Sequence, residues 1–177
     1  RFGAQTTIVQ EIPMFLPKEE RDAAQILSDA FARDGIEVRL NTKAVNVRIE
    51  HGLKLVDLVS EDYHSTVLVD AILTGTGRLP NVEGLNLETA GVDCEAATGV
   101  RVNDFLQTSN RRIYAAGDAC LEHKFTHTVD ASARMVVRNA LFPGRERLSA
   151  LTIPWCTYTD PEIAHVGLYV LQAHERD

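Results

Sequence analysis

Residues 113–118 read IYAAGD, an apolar run that ends in Gly-Asp. Together with Arg112, this run predicts a short buried strand. Gly117 allows the backbone to turn sharply where the strand ends, and the turn would point Asp118 into the crevice in which α/β sheets bind ligands. Considered alone, the same two residues are equally consistent with an ordinary turn that carries a solvated Asp118.

A strand–helix–strand pattern opens the chain. Residues 6–9 are few and rich in β-branched side chains, which predicts a buried strand. Residues 18–33 carry apolar side chains at helical spacing, and Asp34-Gly35 follows as a helix stop. Residues 36–40 alternate as a strand. This order predicts a βαβ unit with a parallel strand pair and a right-handed crossover.

Several short strands are predicted after the strand–helix–strand unit. Residues 44–49, 53–59 and 66–69 predict an antiparallel meander with a tight turn after its first strand. Residues 70–74 predict a further buried strand. Together with the βαβ unit, these elements predict an α/β fold.

The last part of the chain combines one long helix with short strands. Residues 127–142 predict the helix, residues 154–159 and 163–166 predict strands, and the chain ends in an amphipathic helix. Trp155 and Tyr158 are expected to fill the core of this last part.

Composition and charge exclude several classes of function. The chain has 177 residues, of which 45% are hydrophobic and 24% charged, an ordinary globular range. A net charge of −7 argues against a nucleic-acid partner, because phosphate binding needs clustered Lys and Arg. No apolar run is long enough to cross a bilayer and no signal peptide is visible, so no membrane association is expected.

The cysteines Cys94, Cys120 and Cys156 are widely spaced. This sparse, odd number favours a reducing cytoplasm over a disulfide-stapled secreted domain, and each cysteine is interpreted as a small buried apolar residue. Cys120, His123 and His127 have a spacing that could bind a metal. No fourth ligand is evident, so no metal site is predicted.

Four motifs follow one another along the chain: TGRLPN at 76–81, QTS at 107–109, IYAAGD at 113–118, and PWCTYTDPE at 154–162 with Val166-Gly167 after it. This set resembles the class I pyridine nucleotide-disulfide oxidoreductases, the family of glutathione reductase, dihydrolipoamide dehydrogenase and mercuric reductase. The resemblance covers essentially the whole chain. One motif alone would be weak evidence, whereas four in the family's order are strong evidence.

The resemblance implies three domain segments. Residues 1–75 would be the C-terminal part of a Rossmann-like NAD(P)-binding domain with its β-meander. Residues 76–148 would be the returning segment of an FAD-binding domain, and residues 149–177 the start of an α+β dimerisation domain. The family further implies a cytoplasmic homodimer, formed through that last domain, which passes electrons from NAD(P)H through FAD to a cysteine pair and then to a small-molecule or metal-ion acceptor.

The resemblance also assigns flavin contacts. In the family, the Asp of the Gly-Asp pair, here Asp118 after Gly117, accepts a hydrogen bond from a ribityl hydroxyl of FAD. Phe125, Thr126 and His127 match the family's stretch where a helix begins against the pyrimidine end of the flavin. Backbone N–H groups and the helix dipole would there stabilise negative charge on the reduced ring.

Two further pairs are assigned to cofactor binding. Gly77 and Arg78 belong to the family's TGRxPN turn. Gln10 and Glu11 follow the first strand, where dinucleotide folds place an acidic residue against the adenosine ribose. Gln10 takes the position that is usually acidic, and this departure leaves the choice between NAD and NADP open.

No catalytic residue is expected in this chain, because the family's reactive cysteine pair and its C-terminal His-Glu pair have no counterpart in the sequence. The chain does not begin with Met, and we interpret it as starting within a domain. Residues 149–167 favour a mercuric reductase-like enzyme, and a dihydrolipoamide dehydrogenase is the alternative. A third interpretation is a truncated, inactive module that binds nucleotide weakly or self-associates, and we expect the isolated chain to be inactive.

Overall fold

The first elements form a βαβ unit, which confirms the predicted order. Strand β1 (Thr7–Val9) and strand β2 (Glu37–Arg39) pair in parallel, and helix α1 (Arg21–Arg33) connects them. The computed structural model of the chain describes residues 3–61 and 63–175, with only the backbone at Leu171.

Helix α1 starts after an uncapped glutamate and stops shortly before a glycine. Glu20 occupies its N-cap position without a side-chain hydrogen bond to the helix. Gly35 follows the helix with a φ of +72°, a conformation that a residue without a Cβ adopts at no steric cost. Ala24, Leu27 and Ala30 are buried, and their spacing of three residues gives the helix one apolar face.

The meander contains strands β3 (Lys43–Glu50), β4 (Leu53–Val59) and β5 (His64–Val69) in that order, all antiparallel. His51 and Gly52 both have positive φ, as the two-residue turn of a tight hairpin requires. On one face of the sheet, Asp57 accepts hydrogen bonds from Asn46 at 3.1 Å, from Thr66 at 2.7 Å and from Arg48.

The strand predicted at residues 70–74 is wrong. None of these residues lies in a strand, and Leu73 is 98% exposed. An apolar run becomes a strand only where a neighbouring strand completes its hydrogen bonds. No described strand pairs with this run.

Two clusters of buried apolar residues lie in the part of the chain that follows Thr76. One buried cluster contains Val82, Val92 and Val100, and another contains Leu106, Leu121 and Met135. The elements here are the short pair β6 (Cys94–Glu95) and β7 (Gly99–Val100), and the long helix α2 (Thr126–Leu141). The helix confirms the one predicted at residues 127–142.

Two short strands and a short helix complete the fold. Strands β8 (Trp155–Thr157) and β9 (Ile163–His165) form a two-stranded sheet, and helix α3 (Val170–His174) follows. Tyr158, expected in a core, is instead 86% exposed because it lies just beyond the end of β8. Among the described residues, no helix has both the length and the apolar character that a membrane span requires.

The chain divides into two units. The first contains the residues up to Gly75, together with Cys156–Ala164 and the residues from Tyr169 onward. The second contains Thr76–Trp155 and His165–Leu168. Mixed helix and strand content with a parallel βαβ unit confirms the α/β class.

Candidate functional site

The segment before Asp118 is extended, but it is not the predicted strand. Its only ladder contact among the described residues is a single antiparallel bridge between Tyr114 and Gln107. Ala115 N–H donates to the Leu106 carbonyl at 3.1 Å, and Thr108 N–H donates to the Ile113 carbonyl at 3.0 Å. One such contact does not make a sheet, so the interpretation of this run as a buried strand is wrong.

Gly117 begins a single 3₁₀ turn, Gly117–Ala119, that packs against helix α2. Its φ is +69°, and a Cβ at this position would lie 3.0 Å from Cγ1 of Val129. Its backbone N–H donates to Ser132 Oγ at 3.1 Å. Glycine is therefore required here for two reasons, the backbone conformation and the close approach of the helix.

Asp118 projects from this turn with its side chain 45% exposed. Its Oδ2 lies 3.5 Å from Nη1 of Arg78, and the same Arg78 nitrogen donates to the carbonyl of Lys124 at 3.2 Å. Arg78 thus bridges the turn and the segment that leads into α2. Since the pair is well exposed to solvent, it adds little to stability, and the Asp118 carboxylate keeps free acceptor positions.

The start of helix α2 is uncapped. Phe125 occupies the N-cap position without a side-chain hydrogen bond to the helix, and no acidic residue lies in the first turn. Thr126 and His127 are exposed there. An uncapped helix start presents unpaired N–H groups and the positive end of the helix dipole, an arrangement that favours an anion or a polarised oxygen.

Thr128 lies in the same first turn. It is 1% exposed, and its hydroxyl has no hydrogen-bond partner within the described part of the chain. A buried hydroxyl without a partner is unfavourable by about 1–3 kcal/mol, so the beginning of α2 is not a fully satisfied structure by itself.

Aromatic rings surround this helix start, and the motifs did not reveal them as a group. Phe125 stacks on His127 with centroids 5.5 Å apart, and His127 Nε2 donates to the Pro154 carbonyl at 2.7 Å. Trp155 stacks on His123 at 5.6 Å and lies 4.3 Å from the ring of His165. Trp155 therefore packs against the residues before α2 rather than in a core of its own.

Gln10 and Glu11 lie in the first unit, immediately after β1. The side-chain amide of Gln10 donates to the Met14 carbonyl at 2.5 Å and to the Ile12 carbonyl at 3.4 Å. Glu11 forms an exposed ion pair with Lys43 at 3.1 Å. The Gln10 amide thus holds the loop that follows the strand.

The three cysteines are free thiols. Burial raises the pKa of Cys120 to about 11, and burial followed by Glu162 and Glu19 raises the pKa of Cys156. Raised values keep both thiols protonated, which disfavours a role as nucleophiles. Within the described ranges, no group of three or more His, Cys, Asp or Glu side chains could hold a metal ion.

Comparisons with known proteins identify the family. A sequence model of the pyridine nucleotide-disulphide oxidoreductases matches residues 1–140. A dihydrolipoyl dehydrogenase of Thermus scotoductus is 34% identical over 95% of this chain and 36% of its own length. A mercuric reductase of Staphylococcus aureus is 32% identical over 98% of this chain and 32% of its own length. The chain thus spans about a third of these relatives.

Solved structures agree with the sequence relatives. The Cu(II) complex of the HOCl-induced flavoprotein disulfide reductase RclA from Escherichia coli superposes with a TM-score of 0.88 at 28% identity, over 98% of this chain and 40% of that one. LpdA from Mycobacterium tuberculosis gives 0.84 at 30% identity, over 94% of this chain and 36% of that one.

The motif resemblance is therefore confirmed. The family depends on FAD and NAD(P)H, and the dihydrolipoyl dehydrogenases and mercuric reductases among the relatives are flavoprotein disulfide oxidoreductases. With 140 of its residues matched by the family's sequence model, this chain belongs to the pyridine nucleotide-disulphide oxidoreductases.

Proposed function

We propose that this chain supplies part of the FAD site of a flavoprotein disulfide oxidoreductase, with Asp118 and the start of helix α2 in contact with the cofactor. The observation that carries the proposal is the half-exposed Asp118 carboxylate, bridged by Arg78 to the segment from which the uncapped helix begins. A hydroxyl of a sugar-like chain would find an acceptor at Asp118, and a polarised ring oxygen would find N–H donors at the helix start.

The residues present fit a flavin. The first turn of α2 carries no carboxylate that would repel an anionic ring. The unpartnered Thr128 hydroxyl adds a polar group beneath the same helix start. When bound, FAD would supply the electron acceptor for NAD(P)H. The chain's own groups would orient it through Asp118 and stabilise negative charge through the N–H groups near His127.

The proposal extends to the remaining segments. Residues 1–75 would belong to the NAD(P)-binding domain, 76–148 to the FAD-binding domain, and 149–177 to a dimerisation domain of a cytoplasmic homodimer. Gln10 and Glu11 would lie near the adenosine ribose, and Gly77 and Arg78 would contribute to the flavin side. Supporting this, Arg78 lies at Asp118, and Gln10 follows the parallel strand β1.

For the electron acceptor, we propose a metal ion as in the mercuric reductases, with the disulfide of a lipoyl group as the alternative. The sequence of residues 149–167 supports the first, and a relative that is 34% identical supports the second. Following NAD(P)H oxidation by the whole protein, with Hg²⁺ or with lipoamide as the acceptor, separates the two, because each acceptor would be turned over by only one enzyme.

A second candidate function is self-association without catalysis. Apolar side chains on β3 favour it, since Val45, Val47 and Ile49 are 52%, 53% and 70% exposed. Rows of exposed apolar residues on a sheet promote association. Light scattering across a range of concentrations measures this directly.

The test of the proposed function uses the 177-residue chain and FAD. After incubation with FAD and dialysis, retained yellow colour supports the proposed site, and bleaching on addition of NADH or NADPH shows that the chain also accepts electrons. Colour without bleaching means that the chain binds the cofactor but needs further residues for electron transfer. A colourless chain that associates in light scattering contradicts the proposal and favours the second candidate.

A further inference from the structure

Two arginines lie over one aromatic ring, away from Asp118 in the sequence and outside every motif. The guanidinium carbon of Arg145 lies 5.1 Å from the centroid of the Phe105 ring, and that of Arg147 lies 5.6 Å from it. Both distances are within the range of cation–π attraction. Phe105 thus brings two positive charges together on a chain whose net charge is −7.

Hydrogen bonds from helix α2 hold the loop that carries these arginines. The side-chain amide of Asn139 donates to the carbonyls of Phe105 at 3.0 Å and Glu146 at 2.9 Å. Its oxygen accepts from the Glu146 N–H at 2.8 Å. One asparagine therefore fixes the backbone between the two arginines relative to the ring beneath them.

The neighbouring carboxylates are already occupied. Glu146 pairs with Arg138 at 2.5 Å. Asp104 accepts from Ser149 twice, from its backbone N–H at 2.8 Å and its hydroxyl at 2.9 Å, and these bonds lower the pKa of Asp104. Among the described residues, neither Arg145 nor Arg147 has an ion-pair partner. Arg147 also interacts electrostatically with Asp104, and the Phe105 ring lies beneath both guanidinium groups.

A groove of about 420 Å³ opens beside these arginines. Met135, Ala150 and Leu151 provide its apolar surface, and Arg145, Glu146 and Arg147 provide its polar side. Met135 is 6% exposed and belongs to the buried cluster with Leu106 and Leu121, so the floor of the groove is continuous with the core. The volume lies in the range of small-molecule sites, about 300–1,000 Å³.

We propose that this groove binds a small organic anion in which one carboxylate is carried on a short apolar chain. The carboxylate would pair with Arg145 and Arg147, whose planar guanidinium groups match it in geometry. The apolar chain would cover Met135 and Leu151. This site is independent of the proposed flavin contacts at Asp118.

The chain contains only two methionines, which makes a direct test simple. Labelling with carbon-13 methyl methionine yields two NMR signals: Met135 reports on the groove, and Met14, in the other unit, is the internal control. Octanoate is the probe. The controls are 1-octanol, which has the apolar chain but no charge, and acetate and inorganic phosphate, which have a charge but no long apolar chain. We expect octanoate alone to shift the Met135 signal saturably while leaving Met14 unchanged.

Two variants decide the role of the arginines. The double variant R145Q/R147Q should weaken octanoate binding at least about tenfold, since each charge-assisted bond contributes substantially. The control R134Q removes an exposed arginine of α2 that pairs with Asp130, and should leave binding unchanged. Three outcomes would overturn the proposal. They are an equal affinity for octanoate and 1-octanol, an unchanged affinity of the double variant for octanoate, and the absence of a saturable shift of the Met135 signal. Acetate or phosphate binding as tightly as octanoate would overturn it as well.

Discussion

The backbone N–H of Gly117 donates to Ser132 Oγ at 3.1 Å, and this bond ties the turn that carries Asp118 to the buried face of helix α2. The turn and the helix start are therefore parts of one packed structure. A change that separates them should alter both fold stability and any ligand binding at Asp118.

Replacing Gly117 with Ala should destabilise the chain by about 1–3 kcal/mol, because Ala is strained at positive φ and its Cβ would press on Val129. Chemical denaturation measures the change in the free energy of unfolding. Gly144→Ala is the matched control: its φ is +101°, but open space surrounds the position. Equal losses in the two variants would mean that contact with α2 contributes nothing.

The Asp57 carboxylate should titrate abnormally. Hydrogen bonds from Thr66, Arg48 and Asn46, in that order of importance, lower its pKa to about 2 from an ordinary 3.8. A pKa lowered by folding stabilises the native state above the unfolded value, and this contribution is lost as the pH falls through the folded value. Stability should therefore decline between about pH 4 and pH 2.

NMR titration of the Asp57 carboxyl carbon tests this expectation. Thr66→Val removes the largest contribution and should raise the pKa of Asp57 toward 3.8. Asp57→Asn should flatten the decline of stability in the same pH window. An Asp57 that titrates at its ordinary value in the unaltered chain would show that the three bonds do not persist in solution.

Several elements follow directly from the sequence, and others depend on contacts that local patterns do not contain. Helices α1 and α2 have apolar residues at helical spacing, so their positions could be predicted to within a few residues. Residues 70–74 and 113–116 have the same apolar character as a strand but lack a continuous partner among the described residues. Strand formation depends on that partner, which a local pattern does not reveal.

The contacts of the candidate site could likewise be predicted only in part from the sequence. Motif order pointed to Gly117 and Asp118, but the pairing of Asp118 with Arg78 joins residues 40 positions apart (118 − 78). The aromatic rings of Trp155 and His123 also meet only through the fold. No periodic pattern in the sequence predicts either contact. The hairpin turn, in contrast, can be predicted from two adjacent residues, His51 and Gly52.

Cys120 should be the slowly reacting thiol. With a pKa of about 11 caused by burial, its thiolate is scarce at pH 8, and the thiolate is the reactive form. Mass spectrometry after brief treatment with iodoacetamide should find Cys120 largely unmodified, and the same treatment in denaturant should modify all three cysteines. Rapid modification of Cys120 in the native chain would contradict its burial beside Gly117.

Glu19 should contribute to the stability of the first unit. It accepts hydrogen bonds from Thr157 Oγ1 at 3.2 Å and from the Tyr169 hydroxyl at 2.8 Å. Glu19→Ala should lower the free energy of unfolding by about 1–2 kcal/mol, since both donors lose an acceptor. Hydrogen exchange should also rise at residues 157–159 and 169–173. Asp22→Ala, in the first turn of α1, is the control for charge alone.

The most direct test of the flavin assignment is the dissociation constant of FAD, measured by quenching of flavin fluorescence, for the unaltered chain, for Asp118→Ala and for Asp130→Ala. Asp130 lies on α2 and pairs with Arg134, so its loss controls for charge. We expect Asp118→Ala to weaken FAD binding at least about tenfold, as the loss of a charge-assisted hydrogen bond does, and Asp130→Ala to have no effect. Equal affinity of all three proteins for FAD would contradict the assignment of Asp118 to the cofactor.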